Sequence, residues 1–350
     1  MALKDVIGHD KAINILLRTI EKGKIPSAYL FSGESGIGKK FTALNFAKAL
    51  NCISEKRTNN YNLFYDACDE CPSCQKIEKG VHPDFLMIES EGNQIKIEEI
   101  RAIEEKLSLK AYEGQYKIVI IDNAENMNQS AANAFLKTLE EPPENSLIIL
   151  VSSMSELLPD TIRSRCCKVN FAPLSSDECL KVIKNVIGNK YNSKKISSKT
   201  SRTKNAYSRL HEIDILEIIS KLSMGKPGYA VTVNLIEERK WFIDLLEDMM
   251  NAEKDGWSSR EEMERWFELL LVLLRDMALL KVKEDGNYMI NIDLKEYIEK
   301  LSRTMSLKVI IEIYQQMSRL KGYLRYNLNK SLTWNFTGSL LRTRMDINNA

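Results

Sequence analysis

The chain has 350 residues, 44% of them hydrophobic and 28% charged, which is ordinary for a soluble globular protein with two or three domains. Its 50 Lys and Arg residues against 48 Asp and Glu give a net charge of +2, so overall charge does not argue for a nucleic-acid ligand. No apolar run follows Met1, and the most apolar stretch, 267–274, is too short to cross a membrane, so we expect a cytoplasmic protein.

A phosphate-binding loop is the first motif along the chain. Residues 33–39 (GESGIGK) match the pattern G-x-x-x-x-G-K and lie between an apolar strand, 29–31, and a predicted helix, 39–50. In such loops glycines bring backbone N–H groups close to phosphates, and the lysine reaches the β and γ oxygens. Position 40 is lysine, where the motif has a hydroxyl that ligates Mg²⁺. The sequence therefore predicts a degenerate nucleotide site, with these residues: Gly33, Gly36, Gly38, Lys39 and, further along, Asp122.

Four cysteines form the next candidate site. Cys68, Cys71 and Cys74 make two overlapping C-x-x-C units, and Cys52 precedes them by a gap of fifteen residues. C-x-x-C spacing lets both sulfurs of a pair reach one ion, and four such ligands suit tetrahedral Zn²⁺. We expect a structural zinc knuckle inserted at 52–74. The alternative is four reduced cysteines without a metal.

Strands and helices alternate up to about residue 172. The further predicted strands are 85–88, 118–121, 147–151 and 169–171, and the further helices are 96–108 and 129–141. The strands at 118–121 and 147–151 are continuous apolar runs, as a buried parallel sheet requires. This alternation predicts an α/β domain, 1–172, in which helices cover both faces of a parallel sheet.

The strand at 118–121 ends in Asp122-Asn123-Ala124-Glu125, which has the form of a Walker B motif. An aspartate at this position holds Mg²⁺ through water, and a glutamate after it can polarise the attacking water. Glu125 stands three positions after Asp122, and Asn123 occupies the usual adjacent position. The alternative is that both acids cap the next helix or are simply solvated.

Residues 158–166 (LPDTIRSRC) are typical of an arginine-finger segment. A finger supplied in trans stabilises the charge that builds on a γ-phosphate and is worth about 10³–10⁵ in rate. A guanidinium suits this task because it stays charged and presents a planar fork of donors. We expect Arg165 to be such a finger, and Arg163 to form an ordinary surface ion pair. A chain with a degenerate nucleotide loop and an intact arginine finger is better suited to helping a neighbouring subunit hydrolyse ATP than to hydrolysing it alone.

The pattern after Pro173 is helical throughout. We predict a small helical lid, 173–236, followed by an all-helical C-terminal domain, 237–350. Residues 189–209 carry seven basic residues and no acidic one, which predicts either a solvated linker or a DNA-facing loop.

Taken together, these motifs resemble the bacterial clamp loaders, the AAA+ proteins that open the sliding clamp for DNA polymerase III. The resemblance is carried by Val6–Asp10, the glycine loop, the cysteine knuckle with His82-Pro83-Asp84, residues 131–143 (AANAFLKTLEEPP) and Ser164-Arg165-Cys166. Within that family the chain is most similar to the delta-prime subunit. The loop ends Gly-Lys-Lys rather than Gly-Lys-Thr or Gly-Lys-Ser, and residues 224–230 (MGKPGYA) lack the sensor-2 arginine of the motor subunits.

The resemblance implies a hetero-pentameric ring with gamma/tau and delta subunits, in which this chain is a stator without catalysis of its own. Arg165 would enter a neighbour's ATP site, the C-terminal helices would form a collar, and the zinc would be structural. The chain would contact the sliding clamp and primer-template DNA only as part of the assembled ring. That ring would belong to a holoenzyme whose polymerase is a nucleotidyltransferase. The alternative is a gamma/tau-like ATPase that uses Lys39 and Asp122. A zinc-dependent nucleic-acid-binding protein is a third possibility.

Overall fold

A computed structural model describes residues 2–54, 58–59, 62–63, 66–89, 94–192, 215–251, 256–283, 288–326 and 328–344. The chain forms two compact units. The first comprises residues 1–182 together with the short segment 225–229, and the second comprises 183–224 together with 230–350.

The first unit is built on a parallel sheet. Its strands, with a separate short hairpin, are β1 (Ala28–Ser32), β2 (Thr58–Asn59), β3 (Asn62–Leu63), β4 (Phe85–Ile88), β5 (Lys117–Ile121), β6 (Ser146–Ser152) and β7 (Cys167–Asn170). β2 pairs only with β3, and the other five strands are ordered β4-β5-β6-β1-β7 with every neighbour parallel. Every residue of β1 and β6 is buried, which is why both read as unbroken apolar runs.

The α-helices that accompany these strands are α1 (Asp10–Glu21), α2 (Lys39–Asn51), α3 (Pro72–Glu78), α4 (Ile97–Ser108), α5 (Gln129–Glu140), α6 (Asp160–Arg163) and α7 (Ser176–Asn192). Among the described residues, five of them lie between the strands along the chain, while α1 precedes β1 and α7 follows β7. Side chains of β1 alternate between the two faces of the sheet. Tyr29 and Phe31 pack in one apolar cluster with Phe46 of α2, whereas Leu30 packs in a second cluster with Phe135 of α5. Both faces of the sheet are therefore covered by helices, and the predicted α/β fold is confirmed.

The carboxyl ends of the central strands meet at one edge of the sheet. The glycine loop follows β1 at Gly33, Asp122 follows β5, and Ser153 follows β6. Ligands of open parallel sheets bind at this edge. The fold therefore gathers the residues of the predicted nucleotide site in one place.

The second unit is helical in its described residues. From residue 215 onward the helices are α8 (Ile215–Leu222), α9 (Pro227–Thr232), α10 (Leu235–Met250), α11 (Arg260–Val282), α12 (Lys295–Thr304), α13 (Leu307–Tyr323) and α14 (Lys330–Arg344). The first three residues of α9 belong to the first unit. Trp266 is fully buried, with ring centroids of Trp257 at 5.4 Å, Phe267 at 5.5 Å and Phe242 at 5.9 Å. This aromatic core explains the helical spacing of apolar residues in the sequence. The finer division into 173–236 and 237–350 stays a prediction.

Two expectations from the sequence fall on this part of the chain. The apolar stretch 267–274 lies inside α11, and no helix among the described residues is long and apolar enough to span a membrane. The basic stretch 189–209 lies outside the described residues from position 193 onward, so its role stays a prediction.

Asp84 fixes the chain as it approaches β5. Its buried carboxylate accepts hydrogen bonds from the backbone N–H groups of Tyr112, Glu113 and Gly114 at 2.7, 2.8 and 2.7 Å. Burial alone would raise the pKa of Asp84, but these three bonds hold the pKa below its ordinary value. The carboxylate therefore stabilises the fold through its charge.

We expect Asp84→Asn to lower the free energy of unfolding by about 2–4 kcal/mol, because a neutral amide replaces a charged acceptor of three hydrogen bonds. The pKa is lower in the folded chain than its unfolded value of about 3.9, so this stabilisation is complete above that pH. It is lost as the pH falls through the folded pKa. Urea unfolding at neutral and acidic pH measures both effects. Glu105→Gln, an exposed carboxylate-to-amide change on α4, is the control, and equal stability of the two variants would contradict this role.

Candidate functional site

The glycine loop has the backbone conformation of a phosphate-binding loop. Gly38, with φ of +104°, caps the start of α2 in a left-handed conformation that disfavours a side chain. A Cβ at Gly33 would lie 2.4 Å from the carbonyl oxygen of Phe171, so only glycine fits there. The loop therefore needs its glycines for shape, whatever it binds.

Two loop carbonyls are held by other parts of the first unit. The Nε2 of buried His9 donates to the oxygen of Ile37 at 2.7 Å, and the N–H of Gly228 donates to the oxygen of Gly36 at 2.8 Å. A trans peptide is planar, so the N–H of each bonded peptide points opposite to its carbonyl. The N–H groups of Ile37 and Gly38 therefore point away from these partners, as a phosphate-binding loop requires.

Lys39 folds back over the loop. Its Nζ lies 2.6 Å from the carbonyl oxygens of both Gly33 and Glu34, and the residue is only 6% exposed. Burial lowers the pKa of Lys39, while the charges of Glu125 and Asp122 oppose that shift. The motif lysine is thus present at the centre of the site.

Lys40 is paired with the Walker B aspartate. Its Nζ lies 3.3 Å from the Asp122 carboxylate and 2.5 Å from the carboxylate of Glu89, which follows β4 at the same edge of the sheet. Partial burial lowers the pKa of Lys40, but the two carboxylates raise it by more. The pKa of Lys40 is therefore above its ordinary value. The ammonium therefore engages the carboxylate that would hold Mg²⁺ in a complete site.

Glu125 points to the end of β6. Its Oε1 accepts from the backbone N–H of Ser153 at 2.9 Å and from the Ser153 hydroxyl at 2.5 Å. Burial raises the pKa of Glu125, and the hydrogen bonds from Ser153 outweigh it, so the pKa is lowered. Its other oxygen, Oε2, is buried and has no hydrogen-bond partner among the described residues. Glu125 is therefore a charged group within the site rather than a solvated helix cap.

The segment 225–229 packs against the outside of the loop. Besides the bond from Gly228, Lys226 Nζ pairs with the Glu34 carboxylate at 2.6 Å. A Cβ at Gly228 would lie 2.8 Å from the Gly36 oxygen, so the approach requires glycine. This glycine-lysine segment is a strap that supports the loop.

The four predicted ligand cysteines come together. Every pair of their Sγ atoms lies within 4.8 Å, so Cys52 lies with the other three despite its distant position in the chain. The Sγ atoms of Cys52 and Cys71 are 3.9 Å apart. Backbone N–H groups point at two sulfurs: Cys71 N lies 3.3 Å from Cys68 Sγ, and Cys74 N lies 3.4 Å from Cys71 Sγ. Four thiolates arranged in this way can bind a metal ion.

The surroundings of the cluster favour charge on at least one sulfur. Burial raises the pKa of Cys68, but hydrogen bonds from the N–H groups of Cys71 and Glu70 lower it to about 6. Burial raises the pKa of Cys52 and of Cys74. A metal ion would have to displace those protons on binding.

Neighbouring side chains brace the cluster without joining it. Lys48 of α2 is 1% exposed and pairs with Asp69 at 2.6 Å and Glu78 at 2.7 Å, which ties the helix to the cysteine segment. His82 is buried, with Nε2 3.2 Å from the Ser73 hydroxyl and Nδ1 accepting from the Asp84 N–H. His82 therefore has structural partners and stands outside the sulfur cluster.

Arg165 lies on the surface just after α6. Its guanidinium donates to the Thr161 carbonyl oxygen at 2.9 Å and to the Glu140 carboxylate at 2.5 Å. Its side chain is 35% exposed, so the group is reachable from outside the unit. Arg163 pairs with Asp160 within α6. Arg163 is therefore paired within its own helix, whereas Arg165 is paired with Glu140 of α5.

Sequence reasoning missed three residues of the loop site. Glu89 had a detectable signal, because a polar residue directly after a parallel strand lies at the ligand-binding edge. His9 and Lys226 had none, since their contacts with the loop depend on segments far apart in the chain.

Two models of known protein families match this chain. A model described as "DNA polymerase III, delta subunit" matches residues 8–175, and one described as its C-terminal part matches 259–342. The DNA polymerase III subunit delta′ of Bacillus subtilis is 36% identical over 164 residues, which is 47% of each chain. The chain belongs to the DNA polymerase III clamp-loader subunits.

Relatives of other subunit types are about equally similar. The tau subunit of Bacillus subtilis is 36% identical over 173 residues, covering 49% of this chain and 29% of its own length. The gamma subunit of Buchnera aphidicola (subsp. Schizaphis graminum) is 33% identical over 186 residues, covering 53% and 49%. The chain thus spans half or less of these clamp-loader relatives, and identity alone does not separate delta′ from gamma or tau.

Among solved structures, a gamma subunit-related protein of DNA polymerase III from Thermotoga maritima is 20% identical. The match covers 95% of this chain and 99% of the other, with a TM-score of 0.39. The RuvB branch-migration motor of the same organism covers 85% of each chain at 14% identity, with a TM-score of 0.39. These whole-chain similarities are weak.

The buried histidine behind the loop predicts a pH effect. Burial holds the pKa of His9 below its ordinary value of about 6.5, so its stabilising contribution is full above that pH and is lost as the pH falls towards the folded pKa. We expect His9→Gln, which keeps a donor for Ile37, to flatten the fall in stability between about pH 7.5 and 5.5. Urea unfolding across that range measures it.

The control is His82→Gln, because the pKa of His82 is also lowered by burial but the residue lies away from the loop. That variant should retain the His9 part of the slope. If His9→Gln keeps the full pH dependence of the unmodified chain, His9 is not the titrating group.

Proposed function

We propose that this chain is a delta-prime-like stator of the DNA polymerase III clamp loader. In this role it hydrolyses no ATP itself and supplies Arg165 to the ATP site of a neighbouring subunit. The ring so activated loads the sliding clamp onto primed DNA during replication. Its partners would be gamma/tau and delta subunits in a hetero-pentamer, in the cytoplasm at the replisome.

The single observation that carries the proposal is the Lys40–Asp122 ion pair. Hydrolysis in P-loop enzymes needs Mg²⁺ held by a loop hydroxyl and the Walker B aspartate. Here the hydroxyl is replaced by an ammonium that repels a divalent cation, and the same ammonium engages the aspartate at 3.3 Å. The sensor-2 arginine is also missing, and Lys226 in that segment is turned to Glu34. Each change removes a part that turnover requires.

The environment of Arg165 suits a group that is donated to another chain. A surface ion pair such as that with Glu140 is worth at most about 1 kcal/mol, so a phosphate can replace the carboxylate at small cost. The guanidinium keeps its charge throughout and can contact a γ-phosphate with two donors. It would stabilise charge on that phosphate during transfer to water.

A gamma/tau-like ATPase is the second candidate, favoured by the equal identity to a tau subunit and by the presence of Lys39 and Asp122. The two candidates differ in turnover by the purified chain. Magnesium-dependent ATPase activity comparable to that of a motor subunit, abolished by Lys39→Ala, would select this alternative and reject the stator.

We expect Arg165→Ala to leave the chain folded and to lower hydrolysis at the neighbouring ATP site of the reconstituted ring by about 10³ or more. Clamp loading should fall with it. Arg165→Lys should restore little, because a lysine keeps the charge without the planar donor fork. ATP turnover and clamp loading by the reconstituted ring measure both variants.

Two controls isolate the finger. Arg101→Ala removes an exposed arginine of α4 and should leave the ring active. Glu140→Gln removes the partner that holds Arg165 in the isolated chain and should not slow the ring. Normal turnover by the Arg165→Ala ring would remove the finger assignment, even if the chain remains a ring component.

We further propose that the cysteine cluster holds one structural Zn²⁺. Tetrahedral Zn–S bonds of about 2.3 Å place ligand sulfurs about 3.8 Å apart, close to the 3.9 Å between Cys52 and Cys71. The N–H···S contacts would orient the thiolates, as second-shell donors do at such sites. The ion would join the end of α2 to the segment that leads into α3.

The purified chain should therefore contain about one zinc ion, and Cys71→Ser should lose it and unfold at lower urea concentration. Elemental analysis and urea unfolding measure the two effects. Cys167→Ser, which replaces an exposed thiol of β7 outside the cluster, is the matched control and should keep the metal. A chain that holds no zinc after purification without chelators would contradict the proposal.

A further inference from the structure

The glycine loop has no function in the proposed stator role, yet it presents the backbone donors of an anion site. In the described part of the chain, no protein acceptor takes the backbone N–H groups of residues 37–40. Those of residues 37 and 38 are aimed by the outward carbonyls of Gly36 and Ile37, which Gly228 and His9 hold. Consecutive N–H groups arranged in this way form an anion-binding concavity.

Two ammonium groups stand beside these donors. Among the described residues, Lys39 Nζ donates to the loop carbonyls of Gly33 and Glu34, which a phosphate can replace as acceptor. Lys40 Nζ has three donors, of which the contacts with Glu89 and Asp122 use two. Within the described ranges, one donor of Lys40 is therefore left for an anion while its carboxylate partners hold it in place.

This arrangement puts a tethered cation where P-loop proteins use a dissolved one. A Mg²⁺ ion bridges phosphate oxygens and the Walker B aspartate. The Lys40 ammonium already contacts that aspartate and cannot leave with the ligand. A phosphate bound at the loop would meet its counter-charge without a metal.

We propose that the glycine loop binds a diphosphate group in the absence of any divalent cation, with Lys40 supplying the charge that Mg²⁺ supplies elsewhere. Lys39 and the N–H groups of residues 37–40 would provide the other contacts. The ligand class is a nucleoside diphosphate or free diphosphate. The inference goes beyond the arginine-finger role and does not depend on it.

Charge limits the site to two phosphates. The Asp122 carboxylate lies 3.3 Å from Lys40 Nζ, close enough to oppose a further anionic group, and the charge of Glu125 also acts on the Lys39 ammonium. In a metal-bound site Mg²⁺ offsets that repulsion, whereas one ammonium carries half its charge. A triphosphate should therefore bind less tightly than a diphosphate when no metal is present.

Calorimetric titration of the full chain tests this, with ADP, ATP, inorganic diphosphate and adenosine, each in EDTA and in Mg²⁺. ADP should bind equally well in both buffers, more tightly than ATP in EDTA, and adenosine should not bind. Binding of inorganic diphosphate as tight as ADP would assign the site to free diphosphate, and weaker binding would assign it to a nucleotide. Either result supports the diphosphate site.

Lys40→Thr is the decisive variant, because it restores the usual hydroxyl. Loss of one charge-assisted hydrogen bond should weaken ADP binding in EDTA by a factor of about ten to a hundred, and Mg²⁺ should then recover it. Lys24→Ala, an exposed lysine outside the loop, is the control, and circular dichroism checks that each variant is folded. The proposal is overturned if ADP and diphosphate both fail to bind in EDTA, or if the unmodified chain binds them only with Mg²⁺.

Discussion

The ion pair between Lys40 and Asp122 determines the chemistry of the first unit. It joins the first turn of α2 to the end of β5, two segments brought together because β1 and β5 lie in the same parallel sheet. An ammonium at this point has the same sign of charge as the Mg²⁺ that P-loop enzymes bind beside this aspartate, so the two repel each other. The loop therefore keeps the donors of a phosphate site, while its Walker B carboxylate already has a cationic partner.

The shape of the loop depends on parts of the chain far from it. His9 precedes α1, and the strap residues Lys226 and Gly228 lie about 190 residues after the loop, yet all three contact it. Their bonds to loop carbonyls and to Glu34 satisfy groups that would otherwise compete for the lysines. These contacts hold the loop in its conformation without a ligand, so the site is preformed.

Much of the fold could be predicted because burial leaves a direct mark on sequence. The unbroken apolar run at 147–151 is fully buried within β6, and the spacing of Cys68, Cys71 and Cys74 matches their sulfur cluster. Side-chain partners were less accessible to prediction. Nothing local to Glu89 shows that Lys40 will lie 2.5 Å from it, because that distance depends on the register of β4 beside β5.

The sequence by itself determined the alternation of strands and helices, the glycine positions that the loop requires, and the residue types available at the sheet edge. Those features follow from local rules of burial, backbone conformation and ligand chemistry. Only the tertiary structure decided which groups meet: Cys52 with the later cysteines, Lys40 with Asp122, and Arg165 with Glu140. The physical reason is that an ion pair or a ligand set depends on distances of a few ångströms, and the packing of strands, helices and loops sets those distances.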